Sequence, residues 1–488
     1  MRVALIHPRL HVHAYDFFPL GLGHLAAALE RRAIPYSLYD LHKDWLRPAG
    51  LLRRLEDDAP AGLFAVSAPL TSFTEARNVC RALKARFPRT PVVLGGRISV
   101  LDAERIFRLL PADYVVRGEG EEAIVELVDM LEGRRTPDEV RGLAYRDEAG
   151  RVRSNGEAAL VENVSDYIIP YARLDIGRYV SRRTVQSPRL PSLNMLSSRG
   201  CPFSCAFCNF SGDDNHRMRY FDLDRLTEAW DYLRERHGLR HVTFNDDIFT
   251  VDRRRVKDIC ARLKERGIAF SCSTRVDCLD EESISVLEES GCRFLCLGIE
   301  SPSPTVSAVI GKRLDLDKAQ ATIARLKKTR MTVNYGFMIG HYGETEETVR
   351  ETRAYVLRNG VIYSAFFAAA FPRTRLYDMV RDRIPDEDAY LARLSRADLS
   401  TDYLVNMTDM PKRRIYRLHD RLVADSVLNA LGIRARPAWT VLRWPFVAYL
   451  GFMRRFGLRL GPVKRLFEFL NIAVAKPLAV LAARRRRR

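Results

Sequence analysis

Ser198-Arg199-Gly200-Cys201-Pro202-Phe203-Ser204-Cys205-Ala206-Phe207-Cys208-Asn209 is the stretch on which the reading of this 488-residue chain turns. Its three cysteines, in a C-x3-C-x2-C spacing, follow a short apolar run from Leu193 to Leu196. Three thiolates on one tight loop can hold three irons of a cubane iron–sulfur cluster and leave the fourth iron without a protein ligand. An open metal position is what chemistry needs, because it can bind and activate a substrate. Two other readings compete: three buried thiols, or part of a zinc site. Zinc calls for a fourth Cys or His at finger-like spacing. The only local candidate is His216, eight residues past Cys208 in a polar loop. The spacing favours the cluster, and structural context must confirm it.

Bulk properties narrow the class. Hydrophobic residues make up 47% and charged residues 29%, the balance of a globular protein with ample core for two or three domains. The N-terminus, Met1-Arg2-Val3-Ala4-Leu5-Ile6, reads directly as a strand without a leader pattern, and no apolar run is long enough to span a bilayer. Nine cysteines, an odd number, point to a reducing compartment and to metal or thiol chemistry. A cytoplasmic protein is expected. The net charge of +18 is uneven, because residues 431–488 carry +13 of it. Whatever the basic excess does belongs to that tail.

Residues 1 to about 135 alternate short apolar strands (Val3–Ile6, Tyr36–Tyr39, Leu63–Ser67, Val92–Leu94, Tyr114–Val116) with amphipathic helical patterns. This implies a flavodoxin-like doubly wound parallel sheet that binds ligands beyond its carboxyl ends. Those ends carry Ser67-Ala68-Pro69-Leu70, Gly95-Gly96 and Arg117-Gly118-Glu119-Gly120-Glu121. Together they resemble the cobalamin-binding domain, with its Ser-x-Leu element after strand three and Gly-Gly after strand four. The resemblance implies cobalamin contacts at Ser67, Leu70, Gly95, Gly96, Gly118 and Glu119. The Asp-x-His-x-x-Gly motif that supplies a cobalt ligand in many such domains is missing, so no lower-face His ligand is expected. His11 and His13 read as a solvated pair.

Residues 136–190 read as a linker with a small hairpin around the Glu148-Ala149-Gly150 turn. From 191 to 375 the alternation resumes in six units: Leu193–Ser197, Val242–Asn245, Phe270–Ser273, Phe294–Ile299, Val333–Ile339 and Ile362–Phe371, with helices between them. A partial (β/α)6 barrel is expected, with its chemistry at the strand carboxyl ends. That pattern, with the cysteine loop after its first strand, resembles the radical S-adenosylmethionine superfamily. The resemblance implies a [4Fe–4S] cluster on Cys201, Cys205 and Cys208, whose open iron chelates S-adenosylmethionine. It further implies adenine placement by Phe207, a methionyl contact near Asn245, Asp246 and Asp247, and polar contacts from Arg275 and Glu300. Gly340 and Gly343 match the turn beside the adenine. Asn-Asp-Asp stands where the family usually has Gly-Gly-Glu, a departure that leaves the amine contact open. Cys272 and Cys296 fall on neighbouring strands, but their spacing fits no second cluster.

Residues 376–488 read as a mostly helical C-terminal region ending in Arg484–Arg488. Aromatics and leucines interleaved with Arg and Lys can lie in a membrane interface, pack on the barrel, or contact nucleic acid, the last disfavoured without an RNA-binding signature. Taken together, the architecture resembles the cobalamin-dependent radical S-adenosylmethionine enzymes. That resemblance implies a 5′-deoxyadenosyl radical and methylation of an unactivated carbon in a small-molecule or lipid-like substrate. The alternative is non-methylating radical chemistry, such as oxidative cyclisation or rearrangement in tetrapyrrole or isoprenoid-lipid metabolism. A flavodoxin or ferredoxin is the expected reductant, and a peripheral membrane contact through the basic tail is expected.

Overall fold

The computed structural model describes residues 1–10, 17–183, 188–209, 216–361 and 363–430. His11, His13 and the basic tail from 431 onward lie outside the described residues. The N-terminal strands β1 (Val3–His7), β2 (Tyr36–Asp40), β3 (Leu63–Ser67), β4 (Val92–Gly95) and β5 (Tyr114–Val116) alternate with helices α1 (Leu20–Arg31), α2 (Pro48–Asp57), α3 (Phe73–Arg86), α4 (Ala103–Leu109) and α5 (Glu121–Leu131). Their strands are nearly continuous apolar runs because helices cover both faces. The parallel order β2-β1-β3-β4-β5 places the chain reversal between β1 and β3, where an open sheet of this kind forms its ligand crevice.

The expected hairpin forms as β6 (Leu143–Arg146) and β7 (Val152–Ser154), which extend this sheet in antiparallel fashion beside β5. A second seven-stranded sheet follows. It contains β8 (Ser181–Arg183) and β9 (Pro188–Met195), and the cysteine loop then leaves through a two-residue β10 (Ser198–Arg199) that pairs with β11 (Arg219–Tyr220). The remaining strands are β12 (His241–Phe244), β13 (Ala269–Arg275), β14 (Cys292–Glu300), β15 (Thr332–Ile339) and β16 (Tyr363–Phe367). The order β16-β15-β14-β13-β12-β9-β8 holds six parallel strands from β9 to β16, an open half-barrel as expected.

The helices of this half-barrel begin on aspartates placed by the sequence. Asp222, Asp252, Asp280 and Asp315 each accept the backbone N–H three residues on, opening α6 (Leu223–His237), α7 (Arg253–Glu265), α8 (Glu281–Glu289) and, after the short α9 (Pro304–Val309), α10 (Leu316–Leu326). Each such cap stabilises its helix by about 1 kcal/mol. Gly238 ends α6 in the left-handed region at φ +65°, which only glycine adopts without strain. The first half-barrel strand stops at Met195, two residues earlier than expected. The cause is Asp246, whose Oδ1 takes the Ser197 N–H at 2.7 Å and pulls Ser197 out of the ladder.

After α11 (Glu346–Asn359), the charged stretch beyond Pro372 holds two short helices, α12 (Arg375–Met379) and α13 (Glu387–Leu394). Arg105 and Arg108 of α4 pair with Glu387 and Asp388 of α13, joining the N-terminal sheet to this region. The last described helix is α14 (Lys412–Ala430). Its Ser426 hydroxyl donates to the Val361 carbonyl at 3.0 Å, its His419 stacks on Phe367 at 4.3 Å, and its Asp425 pairs with Arg353 of α11. It thereby covers the edge strand β16. Among the described residues no helix is long and apolar enough to cross a membrane.

Candidate active site between the two sheets

The cysteine loop is pinned at both ends before any ligand is considered. Asp246 is fully buried and accepts from the Ser197 and Ser198 hydroxyls at 2.6 Å each, besides the Ser197 N–H. Burial pushes its carboxyl up to about 6, and those three donors oppose the rise. Gly200, at φ +97°, donates to Asp247 at 3.3 Å. Ala206 N–H donates to the Ile310 carbonyl at 2.9 Å, and Leu376 N–H donates to the Ala206 carbonyl at 2.8 Å. The loop is therefore held by β12, α9 and α12, elements far apart in sequence.

All three thiols are partly exposed and free of disulfides. Arg275 donates to the Cys205 sulfur at 3.4 Å and lies 4.0 Å over the Phe203 ring. Burial pushes the Cys201 thiol up to about 11, and it raises Cys205 against the opposing charges of Lys312 and Arg275. Two cations next to this loop suit a site that must hold thiolates. Among the described residues no three His, Cys, Asp or Glu side chains converge on a single-ion position. A four-iron body takes its three thiolates at separate corners, whereas zinc requires four donors about one point. Cys260, Cys272 and Cys292 lie buried in the half-barrel core, behaving as small hydrophobes.

Two cavities open on either side of this loop. The larger, about 850 Å³, lies between the two sheets. Ser67, Gly95, Gly96, Gly118 and Glu119 line it from the N-terminal side, and Ser198, Arg199, Gly200, Asn245 and Asp247 from the half-barrel side. Its shape depends on glycine. At Gly96, φ +80°, a Cβ would meet the Ala68 carbonyl and the Ser67 hydroxyl at 2.9 Å. At Gly95 a Cβ would find nothing closer than the Val116 carbonyl at 4.0 Å, so its face is open to a ligand. A broad, largely apolar crevice bounded by bare backbone fits a corrin with its nucleotide tail.

The smaller cavity, about 420 Å³, lies inside the half-barrel. Phe207, Asp247, Arg275 and Glu300 line it. Glu300 sits at φ +66°, an uncommon conformation for a side-chain-bearing residue, next to a bulge in β14. Its carboxylate accepts from Lys312 Nζ at 3.1 Å, and the same Nζ donates to the Gly298 carbonyl at 3.0 Å. A Cβ at Gly298 would fall 2.6 Å from the Glu300 carboxylate and displace it from Lys312. The cavity's outer wall is apolar: Met338, Phe366, Phe371 and Leu399, with Phe366 42% exposed.

Five sequence-implied residues are placed differently. Asn245, implied in a methionyl contact, lines the larger cavity and not the smaller. Leu70 is buried in the core beneath the larger cavity and does not line it. Asp246 spends its carboxylate on Ser197 and Ser198. Gly340 faces Tyr403, whose hydroxyl donates to the Gly340 carbonyl at 2.8 Å, and a Cβ there would lie 2.5 Å from the ring. Gly343 lines neither cavity. Glu119 does line the larger cavity, yet its carboxylate is engaged by Arg219 at 2.6 and 2.8 Å, by Arg199 at 3.3 Å and by the Val161 N–H at 2.6 Å. Arg199 also donates to Glu121 at 2.6 Å. This buried clasp joins the N-terminal sheet to the residue two before Cys201. Sequence reasoning missed Lys312 and both arginines. A lone Lys after Gly311 and an Arg beside the cysteines carry no spacing that would single them out.

The comparisons with known proteins divide along the same two sheets. A B12-binding domain model matches residues 6–128, and a radical SAM superfamily model matches residues 195–356. An uncharacterised methyltransferase of Pyrococcus horikoshii is 30% identical over 367 residues, covering 74% of this chain and 78% of that protein. The chain belongs to the cobalamin-dependent radical S-adenosylmethionine enzymes. An anaerobic magnesium-protoporphyrin IX monomethyl ester cyclase of Cereibacter sphaeroides is 24% identical over 406 residues, covering 79% of this chain and 64% of the cyclase. Among solved structures, the cobalamin-dependent radical enzyme OxsB with aqua-cobalamin bound shares the fold, with a TM-score of 0.71 at 15% identity over 99% of this chain and 80% of that one. This member of the family is a radical S-adenosylmethionine enzyme whose larger cavity lies between its B12-binding domain and its half-barrel.

Proposed function

We propose that Cys201, Cys205 and Cys208 hold a [4Fe–4S] cluster, that the smaller cavity takes S-adenosylmethionine, and that the larger takes cobalamin. The enzyme then methylates an unactivated carbon of a small-molecule or lipid-like substrate. The observation that carries this reading is Asp247, which lines both cavities while anchoring Gly200 of the cysteine loop. Two cofactor sites that share one wall can serve one substrate held between them. When bound, the cluster and S-adenosylmethionine supply a 5′-deoxyadenosyl radical and cobalamin supplies a methyl group.

The chain's own residues orient and shield this chemistry. Arg275 and Lys312 set positive charge beside Cys205, favouring thiolate over thiol. Glu300, held by Lys312, presents a carboxylate suited to the hydroxyls or ammonium of S-adenosylmethionine. Phe207 fills the wall next to the third cysteine. Met338, Phe366, Phe371 and Leu399 exclude water from the outer side and favour an apolar substrate part.

A second reading, oxidative cyclisation or rearrangement without methyl transfer, draws support from the likeness to the cyclase. Incubation of the reduced, reconstituted enzyme with S-adenosylmethionine separates the two. Methylation predicts S-adenosylhomocysteine together with 5′-deoxyadenosine, and 5′-deoxyadenosine alone contradicts it. A flavodoxin- or ferredoxin-type reductant belongs to the same reading. So does a peripheral membrane contact through the basic residues beyond 431, which flotation with anionic vesicles of the full chain, against one ending at Leu431, tests.

A further inference from the structure

Helix α14 is fixed in rotation by what it buries. Ile415 and Leu422 lie in the core, and both acids of the helix, Asp420 and Asp425, are buried with them. The face left exposed carries Arg413, Arg417 and Arg421. Residues four apart on a helix stand one above the other, so the three guanidinium groups form a single row. Among the described residues none of the three guanidinium groups is in a hydrogen bond or ion pair. Arg421 does act on Glu346 of α11, but Arg350 and Arg414 act on the same carboxylate. Arg414 holds it through both oxygens, at 2.5 and 2.7 Å. On α7, by contrast, Arg253, Lys257 and Arg262 each reach a carboxylate, on Asp280, Glu282 and Asp224. Like charges four residues apart destabilise a helix, so the row weakens α14 unless something anionic lies against it.

The chain that follows cannot supply that negative charge. Residues 431–488 carry a net +13, with Glu468 their single acid. They also interleave Trp439, Trp444, Phe446 and Phe452 with Arg443 and Arg454. Aromatic and basic residues mixed in this way suit the boundary between lipid headgroups and acyl chains, and clustered cations are drawn to anionic lipid. We propose that the Arg413, Arg417 and Arg421 face of α14 rests on the surface of an anionic bilayer. The inference rests on the membrane contact proposed for the residues beyond 431, and it names the folded surface that goes with it. Because α14 is tied to Val361 and to Arg353 of α11, the contact also fixes which side of the half-barrel faces the lipid.

Co-sedimentation of the full-length protein with vesicles of phosphatidylcholine and phosphatidylglycerol tests this, against vesicles of phosphatidylcholine alone. The triple variant Arg413→Gln, Arg417→Gln and Arg421→Gln is expected to lower partitioning onto the anionic vesicles about a hundredfold, each arginine contributing about fivefold. Glutamine keeps the helix propensity, and circular dichroism confirms the fold. The matched variant Arg253→Gln, Lys257→Gln and Arg262→Gln removes the same charge from α7. It is expected to bind as the wild type does, because attraction to the surface fades within a Debye length. Unchanged binding by the α14 variant, or an equal loss in both variants, overturns the proposal. So does loss of double-stranded DNA binding in the α14 variant at unchanged vesicle binding, which would assign the row to nucleic acid. A wild-type chain that fails to sediment with the anionic vesicles instead overturns the membrane contact on which the inference rests.

Discussion

Cys205→Ala is expected to abolish 5′-deoxyadenosine formation while leaving the chain folded. Cys205 is the middle thiol of the loop, and the one on which the site spends its positive charge: Arg275 reaches its sulfur at 3.4 Å, and Lys312 acts on it as well. Removing it leaves two thiols, too few to hold a cubane with one open iron. The side chain is partly exposed, and the loop's anchors are the Ala206 backbone and the Asp246 and Asp247 carboxylates, so loss of the sulfur leaves the backbone in place. The measurement is chromatographic detection of 5′-deoxyadenosine after anaerobic reconstitution and chemical reduction. Cys278→Ala, at a half-buried thiol outside the loop, is the control that should retain formation. Persistent 5′-deoxyadenosine in Cys205→Ala would remove the cluster from this loop.

The second large effect is on stability. Glu119→Ala is expected to destabilise the chain by about 3–5 kcal/mol, because it removes the carboxylate that two buried guanidinium groups share. Arg219 has a side chain only 3% exposed and grips Glu119 through both terminal nitrogens, while Arg199 is 12% exposed. The Val161 N–H loses its acceptor at the same time. Glu121 can retain Arg199, and Arg219 keeps its bond to the Val161 carbonyl at 2.7 Å, but both lose the carboxylate they share. Urea unfolding followed by fluorescence reads the change, with a fall in midpoint at unchanged slope. A variant within about 0.5 kcal/mol of wild type would show that the clasp contributes nothing net, as exposed ion pairs often do. Because Arg199 stands two residues before Cys201, the variant should also take up cluster iron less completely.

What the sequence revealed follows from what linear spacing can carry. The C-x3-C-x2-C loop and the Gly95-Gly96 turn are local chemistry, and both lie where their order along the chain implied. The strand–helix alternation was equally readable, since apolar runs of four to eight residues between amphipathic segments specify covered parallel sheets. The details that failed are those decided across the fold. Asp246 and Asp247 are adjacent, yet one turns back to bind Ser197 and Ser198 while the other faces both cavities. Nothing in the dipeptide distinguishes them. Glu119 meets Arg219 across 100 residues of chain, so its carboxylate was assigned to a cofactor when its partner is protein. Gly340 is matched to a family turn by position alone, but Tyr403, from beyond the half-barrel, occupies the space in front of it. Leu70 went to the core because a leucine in a strand-end turn gains more from burial than from lining a crevice.

One chain is expected to hold a three-cysteine cluster and cobalamin on the two sides of Asp247. The most direct measurement is iron and cobalt content of the full-length protein after anaerobic reconstitution with iron, sulfide and hydroxocobalamin, followed by desalting. About four irons and one cobalt per chain are expected, with the iron lost and the cobalt retained in a Cys201, Cys205 and Cys208 triple alanine variant. Protein that keeps iron after that replacement, or that carries iron but no cobalt, contradicts it.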